Sequence, residues 1–288
     1  VILVAGLTCT EEDYEPKDNL LIQDQSISGL RNAPRGHAML TMINLTLRIP
    51  LSLSYSSVSL KAMFPWLALV KGWFGESTMQ LKVFGAALGL VILPVFAQAP
   101  LVRYFPWVSL AMTPLWLGLG VWLMRYPKWH LWGDLTVGFG WIWLTGSLYW
   151  GWFRWEPVMH LPIEALGLPI ALVCLRQGWG RVGSYFFLGS LLGTAITDLY
   201  INWMHLFPSW RQLMASDPEL APLLLHAAST ALQTDVAACR AIVLVIFLLV
   251  ATAIALTTSR QLAWWAFGGA VFSTLIVDGL FFLTAALA

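Results

Sequence analysis

An all-α, polytopic integral membrane protein of about seven transmembrane helices (six to eight) is the fold this chain predicts. Three observations carry it. Of 288 residues, 58% are hydrophobic and only 11% are charged, whereas soluble domains carry about 25% charged residues. Apolar runs long enough to cross a bilayer recur between residues 81 and 283. Seventeen tryptophans are present, many near the ends of those runs, where an indole keeps its ring in lipid and its N–H in water. The expected partner is therefore the lipid bilayer. A net charge of +1 without a basic stripe excludes nucleic acid.

Residues 1–60 lack this character. Their opening VILVAGL is too short to span, and an acidic run follows at Glu11, Glu12, Asp13 and Glu15. We expect a disordered tail or a mis-called start there, with Met39, Met42 or Met63 as alternative starts. Residues 61–80 place Phe64, Trp66, Trp73 and Phe74 beside Lys61 and Lys71, which suits a segment lying in the interface. The transmembrane domain then occupies 81–288.

Its first span runs from about Leu81 to Ala99, interrupted by Pro94, and its second from about Trp107 to Met124. Arg125, Lys128 and His130 end the second, and Trp129 and Trp132 mark an interface. The third covers about Asp134 to Trp152. The fourth, about Pro162 to Leu175, is short and carries two prolines, so it crosses only with help from a thinned or protein-lined site. The fifth, about Gly183 to Trp203, holds Gly189 and Gly193, a small face that admits another helix closely. An outer amphipathic loop follows at 204–240. In it Asp217 and Pro218 supply a cap and first position for a helix to about Gln233. Spans at about Ala241–Thr257 and Ala263–Leu283 complete the bundle.

Basic residues in the flanks set orientation. Eight (Lys61, Lys71, Lys82, Arg125, Lys128, Arg176, Arg181, Arg260) fall on one side and four (Arg103, Arg154, Arg211, Arg240) on the other. The expected N-terminus is cytoplasmic.

Chemistry concentrates in Tyr149–Glu164, YWGWFRWEPVMHLPIE, which sets Arg154, Glu156, His160 and Glu164 among aromatics. If Glu156–Glu164 is helical, Glu156, His160 and Glu164 share one face. Two spans add one acid each, Asp198 and Asp278. An offset of 80 residues aligns Phe187 with Phe267, Gly189 with Gly269, Thr194 with Thr274 and Asp198 with Asp278, the pattern a duplicated hairpin would leave. A carboxylate within a span costs about 2.5–3.5 kcal/mol on insertion scales, so it faces the bundle interior or a wet cavity. Topology gathers all six groups towards the outer side.

The set admits three readings. Arg154 and His160 neutralise the acids as helix–helix glue; the acids line a cavity that exchanges protons or cations with a solute; or His160 joins carboxylates around a divalent metal. Trp141, Trp143, Trp150 and Trp155 are candidates for lining a site for a pigment, quinone or isoprenoid. No phosphate loop, HExxH, haem-placed His pair or Ser/His/Asp arrangement is present, which weighs against an enzyme. The three cysteines lack CxxC or His-flanked spacing, which excludes a cysteine-ligated metal. The sequence requires no cofactor.

The runs PVFAQAPLVRYFPW (94–107), GSLYWGWFRWEPVMHLPIEALGLP (146–169), GTAITDLY (193–200), WRQLM (210–214) and SRQLAWWAFGGAVFSTLIVDGLFF (259–282) resemble a cyanobacterial family of polytopic membrane proteins. That family carries a domain-of-unknown-function label, and the resemblance covers roughly residues 75–286. It implies a photosynthetic bacterium, hence a cell or thylakoid membrane, and brings no reaction, cofactor or catalytic residue. The expectations are a carrier or ion-coupled membrane protein with an outward acidic and aromatic cavity. The alternatives are an accessory or assembly subunit of a photosynthetic membrane complex, docking through 204–240 or the aromatic face, and a membrane metalloenzyme.

Overall fold

The computed structural model describes residues 78–216 and 232–287, with 220, 223, 224 and 226–228 between them. The expected tail, most of the interfacial segment and most of the Asp217–Gln233 helix lie outside the described residues. Those described are helical, with no strand among them.

Six helices are long and apolar enough to cross a membrane. They are α1 (Thr78–Tyr104), α2 (Pro106–Met124), α4 (Pro157–Gln177), α5 (Arg181–Trp203), α7 (Asp235–Thr258) and α8 (Leu262–Leu287). Between them lie α3 (His130–Leu148) and the short α6 (Phe207–Ala215). The third expected span, α3, falls short in hydropathy alone. Its 19 residues run into a five-residue π turn, Tyr149–Phe153, giving about 35 Å of helix, enough to cross. Its composition reflects its position. Gly138, Gly140, Gly146, Thr145 and Ser147 are all buried, so α3 meets protein where its neighbours meet lipid. We read it as the seventh crossing helix.

Helix ends differ from expectation where prolines and caps act. Pro94 does not stop α1. Lacking an N–H, it shifts the register into a π turn over Pro94–Gln98, and the helix continues to Tyr104. The fourth span starts at Pro157 rather than Pro162, as a 3₁₀ turn, a five-residue helix (His160–Glu164) and a second 3₁₀ turn before Leu168–Gln177. The helix expected from Ala241 begins at Asp235, because the Thr234 side chain caps it by accepting from the Ala237 N–H (3.2 Å).

α3 packs on α2 and α5, α5 on α8, and α8 on α1 and α7. Small residues set these approaches. A Cβ on Gly189 or Gly193 would collide with Phe267 or Thr274 of α8, and one on Gly138 with the Gly183 backbone of α5. Buried polar groups then lock the helices together. Gln98 Nε2 of α1 donates to Trp143 O (2.6 Å) and Ser147 Oγ (2.8 Å) of α3, and Trp143 Nε1 donates to Ser109 O of α2 (2.9 Å).

Asp134 is the acid the sequence leaves unremarked. The residue at the α5 N-cap is Gly180, at φ +61°, with no side chain to cap the helix. Asp134, on the neighbouring α3, does so instead, accepting from the N–H groups of Val182 (2.9 Å) and Gly183 (3.0 Å). Asp134→Ala strands the buried Gly183 N–H and the part-buried Val182 N–H, and a loss of about 1–3 kcal/mol follows. The unfolding midpoint of the detergent-solubilised protein measures it; an unchanged midpoint would show that the cap contributes nothing.

Candidate functional site

Where Tyr149–Phe153 passes into α4, the chain makes a sharp change of direction. Pro157 holds Glu156 in an extended conformation (φ −112°, ψ 92°), which ends the helical face expected through Glu156, His160 and Glu164. Glu156 turns outward to Arg211 Nη2 on α6 (2.7 Å). His160 and Glu164 start and end the next short helix, so their i,i+4 spacing survives.

His160 lies between two carboxylates. Its Nε2 meets Glu164 Oε1 at 3.3 Å and its Nδ1 meets Asp198 Oδ1 of α5 at 2.9 Å. All three side chains are more than four-fifths buried. Tyr149 stacks on the imidazole (centroids 4.2 Å apart, planes 28°), and Trp150 meets it edge-on at 6.4 Å. The α5 face completes the site with Thr194, Thr197 and Asp198. Thr194 Oγ1 donates to Glu164 Oε2 (2.6 Å), and Thr197 Oγ1 donates to Asp278 Oδ2 on α8 (2.9 Å). Four helical segments thus contribute to one polar cluster.

Residues 86–286 match the family described as "Protein of unknown function (DUF3120)". The chain belongs to that family. No curated protein and no solved structure matches it. The DUF3120 region contains the triad, both threonines and Asp278, and it spans from within α1 to the end of α8.

Of the residues singled out from the sequence of this DUF3120 protein, His160, Glu164 and Asp198 come together, with Asp278 joined through Thr197. Arg154 and Glu156 do not join them. The Arg154 guanidinium donates to Trp150 O (3.4 Å) and lies over the Trp155 ring (5.8 Å). The four tryptophans do not share a site. Trp143 is core, hydrogen-bonded to α2. Trp141 lines a pocket near Asp134 and Cys174, towards the other end of α3. Trp155 is half exposed, and Trp150 alone borders the triad. Among the described residues no three His, Cys, Asp or Glu side chains are placed to hold a metal ion, and both nitrogens of His160 already face carboxylates.

Tyr149, Thr194 and Thr197 are the site residues that sequence reasoning missed. The two threonines had a signal, since Thr194, Thr197 and Asp198 stand at i, i+3 and i+4 on one helix face. Tyr149 had none beyond its place in the aromatic run.

The rim pair titrates outside the membrane-crossing segments. The hydrogen bond from Arg211 holds the Glu156 carboxyl below its ordinary value. Its contribution is present above the ordinary carboxylate range and is lost as pH falls through the lowered value. A ¹³C NMR titration of Glu156 is predicted to give a midpoint below about 4.3, the usual glutamate value. A midpoint at or above it would mean the pair does not form in solution.

Proposed function

We propose that this protein is a proton-coupled membrane carrier in which His160, Glu164 and Asp198 form the proton-binding site. One observation carries the reading: each ring nitrogen of His160 faces a carboxylate oxygen within a membrane-crossing bundle. Two such contacts need two hydrogens, and a neutral imidazole brings one. The triad therefore closes both contacts only with one further proton, on the ring or on a carboxylate. With it the three side chains carry a net charge of −1, and without it −2. The second state is costly at membrane depth, so release of the proton favours arrival of a compensating cation or rearrangement of the helices. That coupling is what a carrier requires.

Asp278 fits as a second titrating group, held by Thr197 beside Asp198. The setting we favour is the cell or thylakoid membrane of a photosynthetic bacterium, with the triad towards the non-cytoplasmic side.

The test is proton flux into lipid vesicles holding the purified full chain and an internal pH dye, with chain abundance scored alongside in the native host. Asp198→Asn and Glu164→Gln abolish flux and leave abundance normal if the triad carries the proton. Normal flux in both variants would overturn the proposal. Loss of the chain itself would assign the acids to helix association instead.

A further inference from the structure

α6 lies beside the triad and is tied down thinly. None of its nine residues is fully buried, although Phe207, Trp210, Leu213 and Met214 are partly covered. Its contacts with the triad-bearing turn are few. Trp210 Nε1 donates to Arg154 O (2.8 Å), the Trp210 ring meets Trp150 at 6.0 Å, and Arg211 pairs with Glu156. Both partners of that ion pair are partly exposed (48% and 36%), where such pairs are held weakly. The turn leading into α6 contains His205, the one non-glycine residue at positive φ (54°) among the described residues, the kind of backbone found at switching segments.

Under Trp210, whose indole N–H points at it, lies a hydroxyl whose own proton has no acceptor. Tyr149 is 1% exposed and stacks on His160, yet no protein atom accepts the proton of its hydroxyl. A buried donor of this kind calls for a solvent or solute oxygen. Its place beside Trp210 and the carboxylates puts that need at the junction between α6 and the triad.

We propose that α6 is a hinged cover over the route between water and the triad. Trp210 is its plug, the Glu156–Arg211 pair is its latch, and the Tyr149 hydroxyl is the first polar group met inside. The purpose given to this cover rests on the carrier reading, but its existence is tested without it.

Tyr149→Cys places a thiol under Trp210 in the full chain. In lipid vesicles its rate of reaction with a charged methanethiosulfonate reagent is read at position 149 by peptide mass spectrometry. Adding Arg211→Glu or Trp210→Ala raises that rate about threefold, the scale of one weak ion pair or one aromatic contact. The charge swap Glu156→Arg with Arg211→Glu returns it towards the starting value. Cys174, a buried free thiol on α4, reports general loosening and keeps its rate. Unchanged rates at position 149, an equal rise at Cys174, or a swap that stays fast would each overturn the cover. Accelerated labelling in a protein without proton flux would leave the cover standing and remove the carrier reading. Flux without accelerated labelling would do the reverse.

Discussion

A carboxylate inside a lipid-crossing bundle has to be neutralised, paired or hydrated, and this bundle meets that demand three times by three means. Asp134 is met by backbone donors at the start of α5. Glu164 and Asp198 share the imidazole of His160. Asp278 takes a threonine hydroxyl. The first arrangement is static, since main-chain N–H groups do not titrate and their positions are set by the helix. The second can change its proton count, because every member is ionisable. That difference separates an acid that builds the fold from acids able to do work within it.

The architecture around the triad follows from that requirement. α5 supplies Thr194, Thr197 and Asp198 on one face and reaches α8 through Gly189 and Gly193, which lets Thr197 meet Asp278. α3 brings Tyr149 against His160 because a π turn extends it past Leu148. The broken start of α4 gives His160 and Glu164 a short helix of their own, separate from Glu156. Each feature departs from a regular helix at the cluster.

Much of the bundle was legible in the sequence, because apolar length and flanking tryptophans report a membrane helix directly. α3 was legible by length even though its glycines and hydroxyls depress its hydropathy. Its gap from the lipid-facing helices is the mark of a helix surrounded by protein. The start of α7 was misplaced, since Asp235 and Arg240 interrupt the apolar run while Thr234 caps the helix ahead of them. Of the site, the acids stood out because charge is rare in a span. The partition among them could not be read: whether Glu156 faces His160 or Arg211 depends on one extended residue before Pro157. Arg154 and Trp155 lie in the same run as His160 yet turn away from it.

The protons on the His160 ring are the most direct test of how the triad is held together. ¹⁵N NMR of histidine-labelled full-length protein in bilayers, with His160 assigned by its loss in His160→Gln, reports the state of each nitrogen. Both nitrogens engaged in hydrogen bonds at neutral pH, with the Nδ1 bond lost in Asp198→Ala and the Nε2 bond lost in Glu164→Ala, is the predicted result. A ring nitrogen with a bare, unbonded lone pair would mean that the extra proton is absent and the triad does not exist as described.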